Sequence, residues 1–418
     1  MALLDRFLAR AVKRGTLTVI HPDGDRRRFG APDPDLPDVA IRFTDWAAER
    51  AILLDPGLGA GEMFMAGRLL IEAGDVWSLA RLLKANNRWE SGRRELKASR
   101  LRRAVNTVRL RLDRLNMERR ARRNVAHHYD LDDRLYALFL DTDRQYSCAY
   151  FTDPASPLDQ AQQDKLAHIA AKLAIRPGMR VLDIGCGWGG MALYLHQRLG
   201  ADVLGVTLSA EQLKVARARA EAAGVADRVR FELIDYRRVT AEAFGGQFDR
   251  IVSVGMFEHV GPAHYRAFMT KCRDLLAPDG VMLLHTIGRL GGPGVTDAWT
   301  AKWIFPGGYN PALSEIIRAQ EGLKLFLTDV EVLRLHYAWT IRHWYDRVQA
   351  HRDEIVALYD ERFFRMWTFY LAGAAMAFEL GGLVNYQLQF ARSRDALPVT
   401  RDYMIEGERA LRGDPPTA

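Results

Sequence analysis

The spacing of apolar residues alternates between two patterns from about residue 124 to residue 290. Short apolar runs predict strands, and segments with an amphipathic spacing predict the helices between them. The strands are predicted at 180–184, 202–206, 229–233, 248–254 and 280–285, and the helices at 193–198 and 211–223. Short strands joined by helical crossovers predict an α/β fold with a parallel, doubly wound sheet. Ligands bind such sheets at the carboxyl ends of the strands.

The segments on either side of this region have other patterns. Before it, strands are predicted at 16–20 and 39–43, helices from 45 and over 76–83, and a turn-rich passage at 57–62. After it, the chain is rich in aromatic residues and arginine in helical patterns. The predicted division is therefore an N-terminal domain (1–90), a basic helical linker (91–123) and a catalytic domain (124–418).

Composition and charge narrow the class of protein. The chain is 48% hydrophobic and 27% charged, which is typical of a globular protein, and its net charge is +7. The linker carries thirteen arginines and lysines against three acidic residues, so it would attract an anionic bilayer. A solvated linker helix explains the same charge equally well. No nucleic-acid motif accompanies the charge, so nucleic-acid binding is not expected.

Targeting signals and cysteines indicate the compartment. No apolar run reaches the roughly 18 residues of a membrane-spanning helix, and residues 1–14 lack the apolar core of a signal peptide. Cys148, Cys186 and Cys272 are too widely spaced for a metal-ligand pair or a disulfide framework. We therefore expect no metal, and a cytoplasmic protein that associates peripherally with the inner face of the cytoplasmic membrane.

A glycine-rich loop follows the first strand of the predicted sheet. It reads Val181-Leu-Asp-Ile-Gly-Cys-Gly-Trp-Gly-Gly190, and its glycines let the backbone approach a ligand closely. The form D-x-G-C-G-x-G resembles the loop of class I methyltransferases, which faces the amino-acid part of S-adenosylmethionine. The ends of the next two strands carry residues suited to the ribose and the adenine, namely Thr207, Gln212, Asp235 and Tyr236. Alternatively, these are ordinary loop and capping residues of an α/β fold.

Longer motifs resemble one family over nearly the whole chain. The most specific of them are Tyr146-Ser-Cys-Ala-Tyr-Phe151, Val206-Thr-Leu-Ser-Ala-Glu-Gln212, Met256-Phe-Glu-His-Val-Gly261, His285-Thr-Ile-Gly288 and Trp303-Ile-Phe-Pro-Gly-Gly-Tyr309. They are similar to those of the cyclopropane-fatty-acyl-phospholipid synthases. The resemblance implies a class I methyltransferase (Rossmann-like) doubly wound sheet with a smaller N-terminal α+β domain. It also implies a homodimer.

The resemblance implies a reaction and a set of site residues. The double bond of an unsaturated phospholipid acyl chain would attack the methyl group of S-adenosylmethionine, and a bound bicarbonate would deprotonate the resulting carbocation to close a cyclopropane. The implied bicarbonate cage is Cys148, Glu258, His285, Ile287 and Tyr337. The implied cofactor residues are Tyr146, Ser147, Asp183, Gly185, Gly187, Thr207, Ser209, Gln212, Asp235 and Tyr236. Aromatic candidates for a wall around the cation are Tyr150, Phe151, Phe257, Trp303 and Tyr309.

Three other functions remain open from the sequence. The same first step could yield a methylene- or methyl-branched acyl chain if the cation loses a different proton. Some small-molecule N-methyltransferases also resemble this family. A lipid-binding protein without turnover would be expected to have lost Glu258 or the glycine loop, and both are present.

Overall fold

The computed structural model describes residues 3–92 and 132–413. Most of the predicted basic linker, 91–123, lies outside these residues. Within the described ranges, no helix is both long and apolar enough to cross a membrane.

The described residues form helices and strands in the following order. The helices are α1 (Leu3–Ala11), α2 (Trp46–Leu54), α3 (Pro56–Met65), α4 (Val76–Ala85), α5 (Asp133–Phe139), α6 (Leu158–Leu173), α7 (Gly190–Leu199), α8 (Ala210–Ala222), α9 (Tyr265–Leu275), α10 (Ala298–Trp303), α11 (Leu313–Gln320), α12 (His336–Ala350), α13 (Arg352–Leu358), α14 (Glu361–Glu379) and α15 (Asp402–Arg412). The strands are β1 (Gly15–Ile20), β2 (Arg26–Ala31), β3 (Asp38–Phe43), β4 (Leu69–Ala73), β5 (Arg180–Ile184), β6 (Asp202–Thr207), β7 (Val229–Leu233), β8 (Phe248–Val254), β9 (Leu276–Arg289), β10 (Phe326–Val332) and β11 (Leu383–Ala391).

The larger sheet has seven strands in the order β10-β11-β9-β8-β5-β6-β7. Strands β5 to β9 pair in parallel, as the alternating pattern predicts, which confirms the doubly wound α/β fold class. Strands β10 and β11 pair antiparallel and were not predicted. They lie in the part of the sequence whose aromatic and arginine-rich pattern predicted only helices.

Two apolar layers cover the two faces of this sheet. Consecutive residues of one strand belong to opposite layers: Ile251 contacts one apolar cluster and Val252 the other, and Met282 and Leu283 do the same on β9. Each fully buried aliphatic side chain stabilises the fold by roughly 1.5–3 kcal/mol. Burial on both faces explains why these strands read as continuous apolar runs rather than as an alternation.

The chain divides into two compact units. Among the described residues, one unit contains 3–92, 295–306 and 338–383, and the other contains 132–294, 307–337 and 384–413. The first unit holds the smaller sheet, in the order β2-β1-β3-β4, with β1 and β3 parallel and the outer pairs antiparallel. The segments 295–306 and 338–383 belong to the first unit because of contacts between residues that are far apart in the sequence. Patterns of consecutive residues therefore cannot reveal them. The predicted boundaries at 90 and 123 stay a prediction.

The passage 57–62 is helical, so the predicted turn is wrong. It lies within α3, which begins after Asp55, whose carboxylate accepts a hydrogen bond from the Leu58 N–H at 3.3 Å, and Pro56 occupies the first turn. The glycines serve close packing. A Cβ on Gly59 would lie 2.5 Å from the Ala51 carbonyl oxygen, and one on Gly61 would lie 2.5 Å from Trp299 Cδ1.

Replacing Gly61 with alanine is expected to lower the free energy of unfolding by about 1–3 kcal/mol, because the new methyl group would overlap the indole of Trp299. Gly373→Ala is the matched control in another helix. A Cβ there meets no atom within 4 Å, so the better helix propensity of alanine should raise stability by about 0.5–1 kcal/mol. Urea unfolding of both variants measures the difference. Equal effects would contradict the packing account.

Candidate functional site

The carboxyl ends of β5, β6, β7 and β8 surround a cavity of about 160 Å³ in the second unit. All of the predicted cofactor residues except Ser209 line it. Ser209 instead caps the N-terminus of α8, where its hydroxyl accepts a hydrogen bond from the Gln212 N–H at 3.3 Å. The geometry thus brings together residues from four loops that are up to about 90 positions apart in the sequence, as expected for a doubly wound sheet.

The glycine loop lines the cavity. Gly185 has φ 85° and Gly187 has φ 54°, which are left-handed conformations that glycine adopts without strain. A Cβ on Gly185 would lie 2.8 Å from the Cβ of Met256, whereas one on Gly187 would meet no atom within 4 Å. Gly185 therefore permits close packing, and Gly187 leaves space for a ligand.

Asp183 is a buried carboxylate next to this loop. Its side chain lines the cavity, only 2% of the residue is exposed, and its Oδ2 atom has no hydrogen-bond partner among the described residues. Burial raises the pKa of the Asp183 carboxyl to about 7, and the charge of Lys165 opposes this shift. A buried acceptor without a partner suits a cationic ligand group such as an ammonium.

Lys165 holds the segment that contains Gln145 and Ser147, a role that its spacing in the sequence does not indicate. This fully buried lysine on α6 donates hydrogen bonds to Gln145 Oε1 at 2.5 Å and to Ser147 Oγ at 3.1 Å. From the same helix, the Gln162 amide donates to the Gln145 and Ser147 carbonyl oxygens at 3.1 and 3.0 Å. Burial lowers the pKa of Lys165 to about 8, and Asp141, Asp143 and other anionic groups oppose this shift.

A buried polar residue ends β6, and another follows β7. Thr207 Oγ1 donates to Gln212 Oε1 at 3.4 Å and accepts the Ser209 N–H at 3.2 Å. Asp235 is 1% exposed and binds the Arg237 guanidinium through both oxygens, at 2.8 and 2.6 Å. Each carboxylate oxygen can accept more than one hydrogen bond, so Asp235 keeps capacity for a ligand amine.

Glu258 and Ile287, both predicted cage residues, are in direct contact. The Ile287 N–H donates to Glu258 Oε1 at 2.5 Å, and the Glu258 carbonyl oxygen accepts the Tyr309 N–H at 3.0 Å. The other carboxylate oxygen, Oε2, is buried and has no hydrogen-bond partner among the described residues. Burial raises the pKa of Glu258 to about 7, and the Ile287 hydrogen bond opposes this shift.

The His285 side chain contacts two amides that were not predicted. Its Nε2 lies 3.2 Å from Asn385 Nδ2, and its Nδ1 lies 3.2 Å from Gln387 Nε2. Burial lowers the pKa of His285 to about 3, so the ring is neutral near pH 7. A neutral imidazole donates from one nitrogen and accepts at the other, so only one of these two amide NH₂ groups can donate to the ring. His285 and Ile287 lie two positions apart on β9.

The remaining predicted cage residues, Cys148 and Tyr337, also belong to the second unit. The Cys148 thiol is 1% exposed and donates to the Ala149 carbonyl oxygen at 3.3 Å. Tyr337 lies in the first turn of α12 and is buried. Whether these side chains meet around a common anion stays a prediction. His259, directly after Glu258, also lines the cavity at the strand ends and was not predicted as a site residue.

The aromatic residues predicted to form a wall around the cation lie in different environments. Tyr150 is stacked between the rings of His168 and His336, with centroid distances of 4.0 and 4.9 Å. Phe257 stacks on Tyr265 at 4.1 Å. Tyr309 donates its hydroxyl to Glu315 Oε2 at 2.7 Å. Trp303 belongs to the first unit.

This arrangement can bind a nucleoside with a charged amino-acid tail and can accept a proton nearby. The glycine loop and Asp183 suit the tail, and the strand ends carrying Thr207 and Asp235 suit the ribose and the base. The groups of three or more His, Cys, Asp or Glu side chains that a metal requires are absent from the described residues. The polar groups around Glu258 instead provide acceptors and hydrogen-bond donors for acid–base chemistry.

Comparisons with known proteins identify the relatives of this chain. The family described as mycolic acid cyclopropane synthetase matches residues 116–388. Cyclopropane-fatty-acyl-phospholipid synthase of Escherichia coli (strain K12) is 38% identical over 368 residues, which cover 85% of this chain and 88% of that protein. Tuberculostearic acid methyltransferase of Mycobacterium tuberculosis is 36% identical over 415 residues, which cover 94% and 91%. The crystal structure of a mycolic acid cyclopropane synthase in complex with SAH and CTAB is 33% identical, has a TM-score of 0.60, and covers 65% of this chain and 98% of its own.

Proposed function

Because this chain belongs to the mycolic acid cyclopropane synthetase family and is an S-adenosylmethionine-dependent methyltransferase, we propose that it adds a methylene bridge across the double bond of an acyl chain in a membrane phospholipid. The observation that carries the proposal is the buried Glu258 carboxylate, which accepts a hydrogen bond from the Ile287 N–H and whose Oε2 atom has no hydrogen-bond partner in the part of the chain that the structure describes. A relative that is 38% identical bears the name of this activity.

The residues around the cavity fit S-adenosylmethionine. Gly187 leaves open space above the loop, and the unpartnered oxygen of Asp183 suits the ammonium of the methionine part. Asp235 and Tyr236 would hold the adenine, and Thr207 with Gln212 would hold the ribose. When bound, the cofactor supplies an electrophilic methyl group. Tyr146 and Ser147, in the segment held by Lys165, would contact its carboxylate end.

The proposed chemistry on the acyl chain needs a base. Attack of the double bond on a methyl group leaves a carbocation on the chain, and loss of a proton from that methyl closes the ring, for a net gain of CH₂. We propose that a bicarbonate held by Cys148, Glu258, His285, Ile287 and Tyr337 supplies the base. Glu258 Oε2 is an unpartnered acceptor that suits a bicarbonate hydroxyl. The Ile287 N–H and the His285 ring already have protein partners, so each would bind the anion only by sharing or exchanging them.

We further propose that the protein works as a homodimer at the inner face of the cytoplasmic membrane. The support for the membrane location is the charge of residues 91–123, which would attract anionic phospholipid at about 1 kcal/mol per basic residue near the surface, and the homodimer is what the family resemblance implies. Binding to vesicles that contain phosphatidylglycerol should weaken steeply as salt is raised from 50 to 500 mM, because added salt shortens the Debye length and screens the attraction between exposed charges. Binding that is unaffected by salt would contradict the electrostatic part of this proposal.

Mass spectrometry of lipids tests the proposed activity. The protein is incubated with S-adenosylmethionine and vesicles of a monounsaturated phospholipid. The proposal predicts a gain of one CH₂ per converted chain with loss of the double bond. The same gain with a retained double bond would favour a methylene-branched product. No gain while the cofactor still binds would overturn the proposed acceptor.

Cofactor affinity is expected to rise with pH through about 7. The raised pKa keeps much of Asp183 protonated and neutral below that value, and the carboxylate that pairs with the ammonium predominates above it. Calorimetric titration with S-adenosylmethionine from pH 6 to pH 8 measures the trend. In Asp183→Asn, affinity should be weaker and nearly independent of pH over this range. A variant that keeps the wild-type slope would show that another group is responsible.

A further inference from the structure

The first unit contains a cavity that the proposed reaction does not use. Its volume is about 230 Å³, and its lining comes from α1, from β1, β3 and β4, from α2, α3 and α4, and from α14. Among the described residues that line it, none has a polar or charged side chain. Representative lining residues are Leu8, Phe43, Phe64, Leu79 and Phe369.

The chemistry of this lining restricts what can fill it. A polar ligand would lose its hydrogen bonds to water and find no partner in the wall. Water is disfavoured for the same reason, since apolar cavities of roughly 150 Å³ stay dry and take up hydrocarbons such as benzene. A cavity of about 230 Å³ therefore suits a segment of an aliphatic chain.

Two glycines mark an opening of the cavity. Gly57 on α3 and Gly373 on α14 both line it and are both exposed to solvent. A Cβ on either residue would meet no atom within 4 Å, so packing does not require a glycine at these positions. Gly373 lies inside a helix next to Ala372 and Ala374, where alanine would be the better helix former. Its effect is to leave the opening free of side chains.

We propose that this cavity binds the end of an acyl chain of a membrane phospholipid, at a site separate from the reaction centre. The choice of a phospholipid rests on the proposed function, whereas the preference for a hydrocarbon rests on the lining alone. Occupation of the site would bind this unit to the lipid phase without chemical change to the chain. Saturated chains would therefore bind as well as unsaturated ones.

Hydrogen–deuterium exchange tests the site independently of turnover. Dioctanoylphosphatidylglycerol is the probe, because its saturated chains cannot react. It should slow exchange at least about threefold in peptides from α3 (Pro56–Met65) and α14 (Glu361–Glu379) of the wild type. Gly373→Trp should abolish this protection by closing the opening, and Gly373→Ala should keep it. Gly57→Trp, on the opposite helix, serves as a second blocking variant if Gly373→Trp fails to fold, as judged by its melting temperature and cofactor binding.

Several outcomes would overturn the proposal. They are the absence of protection in the wild type, equal protection in a folded blocking variant, and protection by octanoate but not by the phospholipid. Protection that needs no lipid and rises with protein concentration would assign the opening to a second copy of the chain. Measuring methylene transfer by the same protein preparations to vesicles of a monounsaturated phospholipid separates the two proposals. Lipid protection without turnover would overturn only the proposed function, and turnover without protection would overturn only this site.

Discussion

Replacing Glu258 with glutamine is expected to lower turnover by about 10²–10⁴-fold while S-adenosylmethionine binds with nearly wild-type affinity. Glutamine has the same shape and can still accept the Ile287 N–H through its amide oxygen. It places an NH₂ group, a donor, where the unpartnered Oε2 acceptor stands. The variant would therefore lose the charge and the acceptor for a bicarbonate hydroxyl but keep the fold.

The measurements for this variant are the rate of methylene transfer to vesicles and the dissociation constant for the cofactor. The exposed Glu221→Gln is the matched control and should change neither. Wild-type turnover should also rise as pH increases through about 7, because the raised pKa of Glu258 leaves it increasingly ionised there. Loss of cofactor binding in Glu258→Gln would mean that Glu258 belongs to the cofactor site. Full activity of Glu258→Gln would show that Glu258 takes no part in the reaction.

Replacing Lys165 with methionine is expected to weaken cofactor binding about tenfold or more and to destabilise the protein by about 3 kcal/mol. Methionine is close in length and apolar, so it fills the space but cannot donate hydrogen bonds. Gln145 Oε1 and Ser147 Oγ would lose their buried donor, and the segment that carries Tyr146 would lose its attachment to α6. Lys214→Met, at an exposed position on α8, is the matched control.

A pH profile separates positioning by Lys165 from a loss of stability alone. Lys165 is the group that opposes the raised pKa of Asp183, so its removal should move that pKa further upward. The rise of cofactor affinity with pH should then occur at a higher pH than in the wild type. A variant that is destabilised but keeps the wild-type pH profile would reduce Lys165 to a purely structural residue.

Local patterns predicted the sheet and the cofactor loop because both depend on neighbouring residues. Apolar runs located β5 to β9, and the glycines of 185 and 187 indicated a close backbone approach at the end of a strand. The same local reasoning failed at α3. There three glycines indicated a turn, although two of them allow close contact with Ala51 and with Trp299, which is over 200 residues away.

Contacts between distant segments could not be predicted in this way. Lys165 reads as one more polar position on a helix, and only the fold reveals that it is fully buried against Gln145 and Ser147. Asn385 and Gln387 lie about 100 residues after His285 and contact it because β11 lies beside β9. Both cases place polar groups in the interior, where each needs a partner that sequence spacing does not specify.

The fate of the transferred methyl group tests the central claim most directly. The protein is incubated with S-adenosylmethionine whose methyl group is CD₃ and with monounsaturated phospholipid vesicles, and the lipid is analysed by mass spectrometry and NMR. Deprotonation of the new methyl and ring closure predict that one CD₂ unit is retained, with cyclopropane resonances and no olefinic signal from the converted chain. Retention of CD₃, or of an olefin in the labelled chain, would contradict cyclopropanation by this enzyme.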